Sequence, residues 1–350
     1  MTKYTGYVGT YTKGNSKGVY AFTLDTDNKN ISGVQLAAEI DNPTYINITK
    51  DQHTLYATAK KGDLGGVAAY AIQPGKVGLQ LKNIQLSEGS SPCYVAVNEE
   101  QTHVSAAYYH RGTVELMPVI DGELQAASST VQSAGSGPNP ERQEKPHLHF
   151  FDFTPDGLYA VAIDLGTDQL KTYSIHNHQL KEVQSFSTKQ GSGPRHIAFH
   201  PNGKYAYIMT ELSNEVIVMD YNKEDGSFTS KQYIKAIPES FTENSQGSAI
   251  HVSSDGRFVY AGNRGHDSIA IFSIDPVTGE LAIVDYVSTE GAWPRDFAFD
   301  PTEQFIIASN QESHNLVLFE RNKETGLLTL ISSDTEVPYP VCIKFLSENE

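Results

Sequence analysis

Cationic side chains are scarce in this chain: 26 Lys and Arg stand against 42 Asp and Glu, a formal charge of −16 over 350 residues. A surface of that sign repels phosphate backbones and anionic bilayers, so neither nucleic acid nor a membrane is an expected partner. An anionic ligand would have to be met by a local cationic pocket that outweighs the far field. Cysteine is nearly absent as well. Cys93 and Cys342 alone supply neither a disulfide framework nor the spacing of a zinc site, and both read as small core residues. Nowhere do about 18 apolar residues run together, and the opening MTKYTGYVGTYT has no basic region followed by an apolar stretch. The expectation is a soluble, cytoplasmic protein. What the chain does have is 19 Tyr, 15 Phe, 28 Gly and 16 Pro, a composition suited to many short strands joined by tight turns.

The strands recur. GPRHIAFHPNGKYAYIMTE (193–211) aligns with AWPRDFAFDPTEQFIIASNQ (292–311), Pro194 with Pro294, Phe199 with Phe299 and Pro201 with Pro301. The spacing amounts to two units of about 50 residues, a period that marks repeat architectures. Four more copies follow the same template at 42–60, 91–109, 149–164 and 248–264. Each is an alternating apolar strand, a turn carrying D-G, N-G or a substitute, and a second strand, which is the sequence form of a hairpin. A third strand follows, as in VAAYAI (67–72) or SIAIFSI (268–274). A fourth comes after DPVTGEL (275–281) or NKETGLL (322–328), where Gly supplies a positive φ.

Four strands per unit make one propeller blade. YPVCIKF (339–345) is a first strand with nothing after it, and YTGYVGTY (4–11) a second strand with nothing before it. Joined, they complete a seventh blade and hide the edges that an open ring would expose. The predicted fold is all-β: one domain over residues 1–350, a seven-bladed β-propeller of four-stranded blades closed by pairing the N- and C-terminal strands.

In such a blade the first strand lines the central channel, and its beginning lies beside the end of the second strand. At the beginning of the first strand the seven units carry Thr44, Cys93, His149, Arg195, Ser248, Arg295 and Val341. At the end of the second they carry the pairs Thr10 and Tyr11, Ala59 and Lys60, Tyr108 and Tyr109, Asp164 and Leu165, Thr210 and Glu211, Asn263 and Arg264, and Asn310 and Gln311. Ionisable groups fall mainly in four adjacent blades. Core packing does not explain them, and three Arg against Glu211 and Asp164 leave positive charge for an anionic ligand, because a buried ion is costly unless paired. A salt-bridge network holding blades together is the competing reading.

The candidate catalytic residues are therefore His149, Glu211 and Arg264, and the candidate substrate-binding residues are Arg195, Arg295, Asp164, Asn263 and Asn310. Two turn-rich stretches, 133–146 and 237–247, connect blades and should overhang the same mouth as lids. His147 and His149 sit two apart on a strand and could suggest a metal, but no third ligand falls nearby, so no metal and no cofactor is expected. His196, His200, His251 and His266 read as structural or surface residues.

At these positions the sequence resembles a known family. HLH (147–149), DLGTDQL (164–170), GPRHIAFHPNGKYAYIMTEL (193–212), SAIHVSSDGRFVYAGNRGHDSI (248–269) and WPRDFAFDP (293–301) are similar to segments of the seven-bladed lactonases, which include bacterial 6-phosphogluconolactonases and fungal carboxymuconate-lactonising enzymes. The resemblance implies an active site of His149, Arg195, Glu211 and Arg264, all four already selected by repeat position. It implies hydrolysis of a sugar lactone, foremost 6-phosphogluconolactone to 6-phosphogluconate in the pentose phosphate pathway, with Glu211 or His149 as general base and an Arg on the oxyanion. The alternatives are a cyclase acting on a muconate-like diacid and a non-catalytic binding propeller. The expected partner is a small anionic lactone, and the expected state a monomer or weak homo-oligomer.

Overall fold

The computed structural model describes residues 2–73 and 75–347, and among these every regular element is a β-strand. The strands form seven antiparallel sheets. The first blade runs outward from Pro340–Phe345 through Lys3–Thr10 and Gly18–Asp25 to Asn30–Glu39. The second to seventh blades begin on the inner strands Ile46–Ile48, Tyr94–Val97, Leu148–Phe153, Pro194–Phe199, Gln246–Val252 and Pro294–Phe299. Each inner strand touches the next, and that of the first blade touches those of the second and the seventh, so the ring is closed.

Closure is made by backbone pairing between the termini. Gly6 faces Phe345, Tyr7 faces Lys344 and Val8 faces Ile343, and the Leu346 amide donates to the Thr5 carbonyl at 2.9 Å. The all-β, seven-bladed, terminally closed fold expected from the repeat is the one observed.

Blades adhere through their apolar faces, where Tyr56, Tyr207 and Tyr260 are fully buried. A buried hydroxyl needs a partner, and each tyrosine finds it on the next blade: Tyr207 donates to the Gly279 carbonyl at 3.0 Å and Tyr260 to the Gly326 carbonyl at 2.7 Å. Both glycines sit in the turns predicted to need a positive φ, at 74° and 76°. A Cβ on Gly279 would lie 2.6 Å from the Tyr205 ring, and one on Gly326 2.5 Å from the Phe258 ring. The glycines thus serve the turn and the blade contact together.

The third blade departs from four regular strands. Its outer strand is split into Glu123–Leu124 and Ser129–Gln132, both paired with Thr113–Ile120. Pro118 lies in that partner strand, and its missing amide removes a ladder bond toward the outer edge, where proline is tolerated.

One irregularity positions the site. The inner strands of the first, fourth, fifth, sixth and seventh blades each slip register near their start: between Pro340 and Cys342, Leu148 and Phe150, Pro194 and His196, Gly247 and Ile250, and Pro294 and Asp296. The skipped residues include Val341, His149, Arg195, Ser248 and Arg295. These are β-bulges, which leave a residue unpaired and re-aim its side chain. The positions singled out by repeat alignment are therefore where the ladder releases a residue at the mouth of the channel.

Deleting residues 340–347 should leave Lys3–Thr10 with its inner edge unpaired and open the ring. The expected result is loss of the cooperative thermal transition; an unchanged transition in the truncated protein would contradict closure by this pairing.

Candidate active site

Glu211 follows directly on the strand Tyr205–Thr210 and is 2% exposed. Its backbone is fixed on both sides, with the amide donating to Gly193 at 2.7 Å and the carbonyl accepting from Gly247 at 3.1 Å. Three guanidiniums converge on its carboxylate. Arg195 Nε donates to Oε2 at 3.1 Å, Arg264 Nη2 lies 2.6 Å from the same oxygen, and Arg142 Nη2 binds Oε1. Burial opposes ionisation of Glu211, but Arg264, Arg195, His149 and Arg142 outweigh it and hold the carboxyl well below its usual range. Arg195 also donates to the Ser248 carbonyl at 2.8 Å, and Arg264 to the Gly247 carbonyl at 2.7 Å. Arg264 Nε is buried without a hydrogen-bond partner.

His149 stands beside this cluster, 8% exposed. Burial first, then Arg195, hold its imidazole well below the usual 6.5, so it is neutral at physiological pH. Cys93 Sγ lies 3.8 Å from His149 Nδ1, and burial pushes that thiol up to about 12. It is a wall, not a nucleophile. Cys342 is buried in the core as expected, whereas Cys93 lines the cavity.

The cavity has a volume of about 440 Å³ and opens to solvent at the mouth of the channel. His149, Glu211, Arg142, Arg264 and Arg295 line it together with Tyr11, Lys60, Tyr109, Gln246 and Trp293. Arg264 lies 5.6 Å from the Trp293 ring centroid and Arg295 5.4 Å from that of Tyr11, both cation–π distances. Arg295 is steered by Gln311, whose Oε1 accepts from its Nε at 2.6 Å.

The family model for the lactonase with a 7-bladed β-propeller matches residues 5–345. The chain belongs to the seven-bladed β-propeller lactonase family. Among its curated relatives, a Bacillus subtilis protein named 6-phosphogluconolactonase is 56% identical over 99% of this chain and 100% of its own length. A Lactobacillus plantarum crystal structure superposes with a TM-score of 0.94 at 39% identity, covering 98% of this chain and 99% of that one. The periplasmic gluconolactonase of Pseudomonas aeruginosa superposes with a TM-score of 0.93 at 30% identity, covering 99% of both chains. The protein is a lactonase.

Not every residue singled out by sequence faces the cavity of this lactonase. Asp164 accepts from Ser133 Oγ at 2.7 Å and from the backbone amides of His147 and Gly166 at 2.8 and 3.0 Å. Asn263 donates to the Ala236 carbonyl at 2.7 Å and Asn310 to the Thr289 carbonyl at 2.9 Å. These three tie loops together and are absent from the lining. The reason is strand alternation: successive side chains point to opposite faces. In five of the seven pairs at the end of the second strand the later member reaches the mouth, as Tyr11, Lys60, Tyr109, Glu211 and Arg264 do, while the earlier member turns away.

Arg142 escaped sequence reasoning, although it lies in the stretch 133–146 expected to overhang the mouth. The charged residues of that stretch were the signal. The other such stretch, 237–247, contributes Gln246. His147 stacks on Tyr109 with centroids 4.2 Å apart and contacts Glu144 Oε2 at 3.1 Å, and Tyr109 also meets His149 edge-on at 5.6 Å. His200 binds the Gly256 carbonyl, His251 binds Asp296 and His266 binds Ser268, the structural roles expected. His196 is buried against Tyr94, His149 and Arg195. Among the described residues no three His, Cys, Asp or Glu side chains converge as on a metal ion.

His149 and His196 are both held well below 6.5, chiefly by burial. In the unfolded chain they take up protons below about pH 6.5, where the folded state does not, so stability falls as pH drops through that range. Glu211 adds to the loss below its unfolded value of about 4.5. The thermal midpoint should therefore be lower at about pH 5 than at about pH 7.5, and an equal or higher midpoint at the acid value would contradict the neutral, buried state of these imidazoles.

Proposed function

We propose that this lactonase opens 6-phosphogluconolactone to 6-phosphogluconate, with His149 as general base. The observation that carries the reading is the charge of the cavity: three guanidiniums gathered around one carboxylate, with Arg295 and Lys60 on the same lining and a neutral imidazole beside them, in a chain of net charge −16. Such a site attracts an anion that the rest of the surface repels. The name of the Bacillus subtilis relative supports the same substrate.

Hydrolysis of a lactone needs an activated water, charge stabilisation on the carbonyl oxygen and a proton for the leaving ring oxygen. His149 carries a free lone pair at neutral pH and accepts a proton from water as its oxygen bonds to the carbonyl carbon. The oxyanion formed is met by Arg264, already held in place by Glu211 and the Gly247 carbonyl, so little reorganisation is needed, while Arg195, expected from the sequence to bind substrate but absent from the cavity lining, braces Glu211. Collapse breaks the bond to the ring oxygen, which takes the proton back from the imidazolium. The new carboxylic acid then ionises. Negative charge building nearby favours the imidazolium, which compensates for the low basicity that burial imposes on the resting imidazole.

Glu211 is the poorer base because three guanidiniums occupy its oxygens and hold it ionised. Its role is to order the arginines. A phosphorylated sugar does not cross a bilayer unaided, and we assign the reaction to the cytoplasm and to the oxidative branch of the pentose phosphate route.

Freshly prepared 6-phosphogluconolactone should be consumed by the purified protein well above its spontaneous rate, with a carboxymuconate run in parallel; turnover of the muconate alone would make the protein a cyclase instead. His149→Ala should lower kcat by about 10²–10⁴, and kcat/KM of the wild type should fall only as pH drops below about 6.5, since the free enzyme's base titrates there or lower. Full turnover in His149→Ala would remove His149 as the base.

A further inference from the structure

The cations of the mouth divide into two groups. Arg142, Arg195 and Arg264 share Glu211. Arg295 and Lys60 line the same cavity, yet neither forms an ion pair with a carboxylate among the described residues. Arg295 uses only Nε, on Gln311, and its two terminal nitrogens have no protein acceptor among the described residues. The first group belongs to the arc of the fourth to sixth blades, beside His149. The second lies on the seventh and second blades, on either side of the first.

Between them the first blade lines the cavity with Tyr11, over whose ring Lys13 Nζ also lies, 5.3 Å from the centroid. Its bulge residue is Val341, and Tyr11 reaches the cavity under Arg295, 5.4 Å from ring centroid to guanidinium. The next residue, Thr12, ties this segment to the second blade: its amide donates to Asn42 Oδ1 at 3.2 Å. Asp41 in turn pairs with Lys60 through the backbone, the Lys60 amide donating to the Asp41 carbonyl at 2.9 Å. Arg295, Tyr11, Asn42 and Lys60 thus form a continuous polar rim whose two cations make no ion pair among the described residues, the nearby Asp41 carboxylate accepting from Thr12 Oγ1 at 3.4 Å. A phosphate monoester, with up to two negative charges and several acceptor oxygens, matches that rim better than a single carboxylate does.

We propose that Lys60 and Arg295, with Tyr11 between them, form a phosphate subsite. It orients the substrate with the phosphate toward the first blade and the ring carbonyl toward His149 and Arg264, and it makes the enzyme prefer phosphorylated lactones. The inference rests on the reaction proposed above and names the end of the substrate that the chemistry leaves free.

The test compares Lys60→Met and Arg295→Lys with the wild type, using 6-phosphogluconolactone and unphosphorylated gluconolactone as substrates. Calorimetric binding of 6-phosphogluconate and of gluconate is measured alongside. The ratio of kcat/KM for the phosphorylated over the plain lactone should drop at least about tenfold in each variant, the size of one lost charge-assisted contact. Affinity for 6-phosphogluconate should drop with it. Lys60 is exposed, so its replacement leaves the core untouched. A ratio within about twofold of the wild type in both variants, with 6-phosphogluconolactone still hydrolysed, would overturn the subsite and keep the reaction. Wild-type protein that binds 6-phosphogluconate through Lys60 but leaves the lactone at its spontaneous rate would keep the subsite and overturn the reaction.

Discussion

A single carboxylate holds the mouth of this propeller together. Arg142, Arg195 and Arg264 could not be packed side by side at the channel mouth without an anion, because a buried charge costs several kcal/mol unless it is paired. Glu211 supplies that anion and is itself fixed through its backbone to the fifth and sixth blades. The pairing has a chemical consequence. A carboxylate that three guanidiniums hold ionised has lost most of its basicity, so the proton-transfer role passes to the adjacent imidazole, which burial keeps neutral. Two groups that resemble each other in a list of acid–base residues are separated here by their surroundings.

The fold makes this arrangement possible by a local device repeated around the ring. An unbroken inner strand would keep its residues in the ladder, alternating between the flanking blades. The bulge at the start of the strand frees one residue, and the end of the second strand presents another beside it. Blades therefore contribute variable side chains to a common mouth from these two positions, while hydrogen-bonded ladders and inter-blade tyrosines carry the architecture. Chemistry can change at these positions without disturbing the blades, which is how a single fold hosts different activities.

The architecture could be read from residues because it is written repeatedly: the recurring Pro, Phe and turn Gly of each unit specified blades, and YPVCIKF and YTGYVGTY specified their own union. His149, Glu211, Arg264, Arg195 and Arg295 were legible for the same reason, since repeat position places them at the mouth. Asp164, Asn263 and Asn310 were misplaced by one residue's worth of strand alternation. A period counted over about 50 residues does not resolve which of two neighbours faces in. Arg142 was illegible for a different reason. It lies outside the repeat, in a connecting stretch whose path is set by tertiary contacts such as those of Gln143 with Asn139, Leu165 and Gly137. Cys93 read as core because its type is usually buried, and its place beside His149 follows only from the aligned position that it shares.

The account depends on Glu211 being an ionised anchor for the guanidiniums and not a titrating base. A carbon-detected NMR titration of its side-chain carboxyl measures this directly. The carboxyl is expected to stay ionised to well below 4.5; a midpoint at or above that value would mean that the guanidiniums do not hold it, and would return Glu211 to the role assigned here to His149.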